Sequence, residues 1–492
     1  MLGTLITFPE LLVLLPLIAG LLLFFVGKNY SKQIALLASL LVLGVSLWSL
    51  LHTDVASYNA VSYIWLKYFG ATYYLLLDPV SRIFTFLTAL TFPIIIASTF
   101  SRKYNHSFYA LMLLAQCGLM GVFVSMDALL FYFFWELALI PVYFLCSMWG
   151  GERRIQATFK FFIYTFVGSL LMLLGIIFVY LHTPPKTFED GVQAAHSFSW
   201  HAFKNAALSS GQKVGAFFLF LIAFAIKMPI FPLHTWQPDA YDQSPNSVTM
   251  ILSGLMVKMG LYGLVRWLLP LFPEESIHYS KWIVVLSVIS ILYASITAFS
   301  QNNIKRLIAY SSIAHIGLMC AAVFSMNTMS LQGAMIQVFS HGINIIGMWV
   351  IYDIIERKTG AKHLSELSGI ANKAPALTIF AVIIAFANIA LPLTNAFIGE
   401  FMMFGGVYKF NRWLAFLAGI SIILAAGYTL FFIKKVFYGE VNDRTAHITD
   451  ISMDEKLILG ALAAWIFVVG VFPQPLIELT KEAVTYLSIQ NN

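Results

Sequence analysis

Four ionisable residues sit inside long apolar stretches of this sequence. Glu136 lies in LFYFFWELALIPVYF, Lys227 in AFAIKMPIFPLHTWQPDA, Lys258 in SVTMILSGLMVKMGLYGLVR and Glu400 in IALPLTNAFIGEFMMF. Glu136 and Lys258 lie two or more helical turns from the nearest expected end of their segments, whereas the segments of Lys227 and Glu400 are interrupted by proline, at Pro229 and Pro232 and at Pro392. A charge at the centre of a bilayer costs about 2.5–3.5 kcal/mol on insertion scales, so such residues need a reason to be there. Glutamate and lysine suit the transfer of protons. Burial favours the neutral form of either, and a nearby opposite charge favours the charged form, so a change in the spacing of a Glu–Lys pair changes its proton affinity. Arginine stays charged and cannot act this way. The residues alone leave two readings open. One is a static buried Glu136–Lys227 pair or lysines that snorkel to the surface. The other is a row of stations on a proton or ion path. Snorkelling fits Lys258 poorly, because apolar residues flank it for several turns.

Three histidines offer further stations: His234 in PLHTWQPDAYDQSP, His315 in YSSIAHIGLM and His341 in VFSHGINIIG. Ser311, Ser312, Ser340 and Asn344 can hold ordered water beside them. Each histidine reads either as a hydrogen-bonded structural residue or as an accessory station on the path. The prolines bear on hydration too. Pro229, Pro232 and Pro392 remove backbone donors and leave carbonyls unpaired, which a bilayer tolerates only against protein or a wet cavity. Asp78 and Arg82, four residues apart at the start of a segment, read as a structural pair.

The elements that must position these residues are membrane helices. The chain of 492 residues is 60% hydrophobic and 11% charged, against about 25% charged in a soluble domain, and its mean hydropathy is +0.82. Repeated apolar runs of about 20 residues predict an all-α polytopic membrane protein. No polar stretch is long enough for a soluble domain. The stretch LLVLLPLIAGLLLFFVG lacks the basic flank and cleavage site of a signal peptide and reads as the first span. About fourteen spans are expected, at roughly 7–26, 31–51, 75–99, 107–124, 127–148, 156–181, 214–233, 247–270, 282–300, 304–324, 330–352, 374–402, 412–436 and 456–482. Loops on one side carry 17 lysines and arginines and those on the other 8, which places the first side in the cytoplasm and both termini outside. The net charge of +6 is thus a topology signal, not a nucleic-acid footprint. Cys117, Cys146 and Cys320 are scattered without a CxxC pair, which argues against a disulfide frame, an iron–sulfur cluster and a zinc site.

The spans repeat. Spans four to eight (107–270) and nine to thirteen (282–436) begin at offsets of about 160 to 177 residues. Five is an odd number, so the second set enters from the opposite side, an inverted repeat. Residues 1–106 hold three preceding helices and 456–492 the last helix and a tail. Spans seven and twelve match in kind, since both are broken by proline and both carry an ionisable residue.

FWELALIPVYFL, WGG, KFFIYT, GSLLML, KMPIFPLHTWQPDA, SPNSVTMILSGLMVKMGLYGLVR, QNNIKRLIAYSSIAHIGLM and FSHG together resemble the antiporter-like membrane subunits of respiratory complex I, the proton-translocating NADH:quinone oxidoreductase (NDH-1). Related chains occur in multisubunit cation/proton antiporters and membrane-bound hydrogenases. The resemblance runs from about Asp78 to Pro475 and favours the M-type, the bacterial counterpart of mitochondrial chain four. FWELALIPVYFLCSMWGG is similar to the M-type fifth helix, and Glu400 stands where L-type, N-type and antiporter D subunits usually place lysine. By position, the resemblance implies that Glu136 is the gate paired with Lys227, the switchable carrier. It makes Lys258 the central station, Glu400 the terminal one, and His234, His315 and His341 accessory. It implies no cofactor on this chain, with NADH, FMN, iron–sulfur clusters and quinone on partner subunits. It also implies L-type and N-type neighbours, contact with lipid, a bacterial inner-membrane location, and protons moved outward in step with redox chemistry elsewhere. No dinucleotide fingerprint is present. The family often reads GLPGTxGFxGE at the twelfth-helix break. Here the stretch is ALPLTNAFIGE, with Ala390, Leu393 and Ala396 in place of glycines. The alternatives are a subunit of a sodium/proton antiporter or hydrogenase, and a structural or quinone-binding chain that pumps nothing.

Overall fold

The computed structural model describes residues 6–25, 30–52, 56–188 and 191–491. Among them, 11 helices are long and apolar enough to cross a membrane, or up to 12 if the bent pair Met453–Val471 and Gln474–Leu487 counts as one span. The fourteen expected spans therefore do not all meet that test. The first, Phe8–Leu23, is only 16 residues long, and the twelfth is divided into Pro375–Asn388 and Asn395–Phe410. The last span was expected to run unbroken over 456–482. It bends by 73° instead, because Pro473 lacks an N–H and forces Phe472 out of helical geometry (φ −124, ψ 72).

Three helices form the centre: Asn246–Leu271, Ile304–Phe324 and Thr328–Thr359. Their apolar windows are wholly buried, as their all-round hydrophobicity requires. The outer helices, such as Ser31–Leu51 and Arg412–Phe437, have only a third of theirs buried. With no hydrophobic drive between helices in lipid, close crossings need small residues. A Cβ on Gly254 would lie 2.7 Å from the Ile346 side chain, and one on Gly342 would lie 2.8 Å from Leu87 and 3.4 Å from the Gly254 carbonyl. That crossing brings the helix of Lys258 against the helix of His341.

The loops hold two short hairpins, Ala60–Leu66 with Ala71–Leu76 and Lys186–Thr187 with Gln193–Ala194. Asp127 fastens the first hairpin to the membrane helix Ala128–Trp149. Its carboxylate accepts from Thr72 N at 2.9 Å and from Leu129 and Leu130 N at 3.1 and 3.2 Å, which caps the helix while anchoring the strand. The opposite end of the bundle is rich in charge. Arg102 binds Asp353 at 2.6 Å, Asn246 bonds Asp353 and Glu356, Arg306 and Lys160 share Asp239, and Arg357 pairs with Glu455. These contacts tie the helix ends together at what we call the charge-rich face.

Candidate functional site

Lys258 lies in the ordinary helical stretch Val257–Gly263, between two wider π-helical turns at Leu252–Met256 and Leu264–Leu268. Such turns interrupt the regular backbone ladder and occur often at functional sites. The Lys258 ammonium is fully buried. It donates to the Ser253 carbonyl at 2.8 Å and lies 2.9 Å from Nδ1 of His341. The His341 and His315 rings lie 5.4 Å apart, centroid to centroid. His315 Nδ1 is 3.0 Å from Oε1 of Glu400, which also accepts from Gln337 Nε2 at 3.1 Å. Four of the residues singled out from sequence thus form one buried row, Lys258–His341–His315–Glu400, drawn from four helices. The chemistry of its first link is simple. Nδ1 can accept from an ammonium, or carry the proton and donate to a neutral amine, so the contact survives with one shared proton in either place.

Glu136, Lys227 and His234 form a second, looser group. Lys227 ends the helix Ser210–Lys227 and is buried. Its ammonium makes no hydrogen bond among the described residues and lies 5.4 Å from the ring centroid of Trp135, the neighbour of Glu136. One oxygen of Glu136 and both ring nitrogens of His234 are likewise buried without a partner. The His234 ring packs 5.0 Å from that of Tyr293. The structure therefore holds Lys227 over an aromatic face, with no hydrogen bond locking it to Glu136.

At the helix breaks the backbone groups are largely satisfied by protein, one of the two settings expected for them. At the first break the Ile226 carbonyl accepts from the Trp236 indole at 3.0 Å, and Ile230 N reaches the Ala225 carbonyl. At the second, Asn344 donates to the Ala387 carbonyl at 2.9 Å and Ser340 to the Asn395 carbonyl at 2.9 Å. Ser340 and Asn344 so brace the backbone next to Glu400. The sequence reading also missed Gln337, which precedes His341 by four residues and so shares its helical face. It missed Asn388 and Tyr428 as well, both of which bond Ser311. Spacing along one chain could not reveal Arg266, whose guanidinium binds Asp78 at 2.5 Å with both groups buried. Among the described residues no group of three His, Cys, Asp or Glu side chains is placed to hold a metal ion.

Over residues 125–425 the chain matches the family described as NADH:quinone oxidoreductase/Mrp antiporter, TM. It is 37% identical to the NADH-quinone oxidoreductase subunit M of Rickettsia prowazekii (strain Madrid E), over 97% of both chains. It is 32% identical to the F(420)H(2) dehydrogenase subunit M of Methanosarcina mazei, over 97% of this chain and 98% of that one. Its fold superposes with a TM-score of 0.89 on a chain of the respiratory complex I from Thermus thermophilus with bound NADH, at 28% identity, covering 98% of this chain and 99% of that one.

Proposed function

From the chain's membership of the NADH:quinone oxidoreductase/Mrp antiporter family of membrane subunits, we infer that it is the proton-translocating subunit M of a respiratory NADH:quinone oxidoreductase. The observation that carries the mechanism is the row Lys258–His341–His315–Glu400, with contacts of 2.9 and 3.0 Å at its two ends. In this reading Lys258 is the central station. A proton leaving its ammonium goes to His341 Nδ1, passes through His315 and is received by Glu400. The histidines can do this because each ring takes a proton on one nitrogen and releases one from the other. Lys227 supplies the row, and Glu136 sets how firmly Lys227 holds its proton. His234 is an accessory stop past the first break. The absence of a hydrogen bond fixing Lys227 to Glu136 supports a pair whose separation changes over a static pair. Protein-satisfied breaks support a controlled path rather than an open pore.

The spans of 107–270 and 282–436 are read as two inverted repeats, each contributing one broken helix with an ionisable residue beside the break. Both termini are placed on the outer side of a bacterial inner membrane, because the charge-rich loops belong in the cytoplasm. Redox chemistry, with NADH, FMN, iron–sulfur clusters and quinone, is assigned to partner subunits, and the lateral neighbours to L-type and N-type chains of the same family. Likeness to an F(420)H(2) dehydrogenase subunit fits a chain that leaves the choice of electron donor to its partners. A sodium/proton antiporter subunit is the second reading; Glu400, where such chains usually carry lysine, counts against it.

The test uses Glu136→Ala, Lys227→Ala and Glu400→Ala in inverted membrane vesicles, with electron transfer and proton uptake followed together. Proton uptake is expected to fall in all three. Normal uptake in all three would reject the relay. The subunits that co-purify distinguish an oxidoreductase from an antiporter.

A further inference from the structure

One buried polar cluster beside Glu400 has no part in the relay described above. Tyr428, on the helix Arg412–Phe437, is 1% exposed. Its hydroxyl donates to Ser311 Oγ at 2.9 Å, and Asn388 Nδ2 donates to the same oxygen at 3.3 Å. Ser311 thus accepts twice and keeps its own proton to give. Two small cavities meet at Tyr428. One, of about 20 Å³, is lined by Glu400, His315, Ser295 and Ser421 together with Tyr428. The other, of about 10 Å³, is lined by Ser311, Asn388, Leu307 and Thr429 together with Tyr428. Each is about the size that one water requires. The first is polar enough to hold one, since the buried Ser295 hydroxyl in its wall is unpartnered. The second cavity lies toward the charge-rich face. Ser311 is seven residues, about 10 Å, from the start of its helix at Ile304, and Tyr428 nine residues, about 13 Å, from the end of its helix at Phe437.

We propose that Tyr428 and Ser311 form a hydroxyl link through which Glu400 takes up protons from the charge-rich face, separately from the row that reaches it from Lys258. This rests on the reading of Glu400 as a proton station. The step balances without any co-reactant. A proton arriving at Ser311 Oγ displaces the serine's own proton to the Tyr428 oxygen. The Tyr428 proton then passes, through one water, to the Glu400 carboxylate, and each hydroxyl ends with one proton. The observed donation from Tyr428 to Ser311 is the orientation such a transfer leaves behind; both hydroxyls rotate to reset it. Tyr428 and Ser311 are relay residues whose hydroxyls matter and whose packing does not.

Tyr428→Phe, Ser311→Ala and Ser311→Thr are compared in the intact complex in vesicles, with Glu400→Gln alongside. Tyr428→Phe keeps the ring, and Ser311→Thr keeps the hydroxyl. The expected result is a loss of proton uptake per electron transferred in Tyr428→Phe and Ser311→Ala, no greater loss in the double variant, and retention in Ser311→Thr. Normal uptake in Tyr428→Phe together with lost uptake in Glu400→Gln overturns the link and leaves the relay standing. Normal uptake in Glu400→Gln overturns both. Loss in Ser311→Thr equal to that in Ser311→Ala assigns the cluster a packing role and overturns the link.

Discussion

Lys258 owes its place to the groups that meet it, the Ser253 carbonyl and the His341 ring. Leaving a buried charge with one partner fewer costs more than the net worth of the contact. His341→Leu is therefore expected to destabilise the protein by about 1–3 kcal/mol, the cost of an unsatisfied buried group, and to stop proton uptake. Lys258→Met/His341→Leu should recover part of the stability but none of the uptake, because removing both polar partners removes the desolvation cost. Thermal unfolding of the purified complex, read beside vesicle uptake, separates the two effects. Away from the membrane the residue chemistry is structural. Burial raises the Asp450 carboxyl, but the N–H groups of Ala376, Ile451 and Leu377 outweigh it and hold the group below its ordinary value. Asp450 so caps the helix Pro375–Asn388 from a loop. A depressed folded value means that the stabilisation is present at neutral pH. It is lost only as the pH falls below the ordinary aspartate value of about 3.9. Asp450→Ala should lower the unfolding temperature at pH 7, by the loss of a cap worth about 0.5–2 kcal/mol, and the difference from wild type should shrink in strong acid. A difference that grows with acidity would contradict this.

At the scale of elements, the twelfth-helix break stores backbone strain. Ala390 (φ 55) and Leu393 (φ 72) both adopt the left-handed region that favours glycine. These are two of the three positions where the sequence lacks the glycines of the related pattern; Ala396, the third, lies inside the following helix. The left-handed region costs a residue with a Cβ about 1–2 kcal/mol. The conformation is held from outside. A Cβ on Gly470 would come within 2.1 Å of the Leu393 carbonyl, so the last membrane helix is pressed against the break. Leu393 is 66% exposed and has little packing to lose. Leu393→Gly is therefore expected to unfold at the same temperature as wild type or higher, and Leu393→Val, with its branched Cβ, at a lower one. Equal unfolding temperatures for the glycine and valine variants would show that the strain is absent. The sequence made the helices and both breaks legible, since proline and apolar periodicity act locally. It did not reveal how the breaks are sealed, because Asn344 and Ser340 reach the second from another helix, and Trp236 reaches the first only through the backward turn of the chain after Ile226. Nor did it reveal the 73° bend at Pro473. The apolar run continues across the bend, and hydropathy does not register direction.

At the scale of the whole molecule, the four buried charges singled out from the sequence, with their histidines, fall into two groups. One is joined by a hydrogen bond between Lys258 and His341 and by a 3.0 Å contact between His315 and Glu400. The other, Glu136 and Lys227, is without such bonds. In the proposed function this difference corresponds to an alternation in which Lys227 is loaded while the row empties. The sequence identified every charged member of both groups, because an ionisable residue in an apolar run stands out by cost alone. Their order in space, and the uncharged helpers Gln337 and Tyr428, depend on helix crossings such as Gly254–Gly342 that no single segment encodes. The central claim is that the buried row carries the pumped protons. The most direct measurement is the number of protons taken up per electron in vesicles that carry Lys258→Met, with the assembled complex quantified in the same membranes. A complex that assembles and transfers electrons with proton uptake lowered or lost is the expected result. An unchanged number of protons per electron would contradict the account.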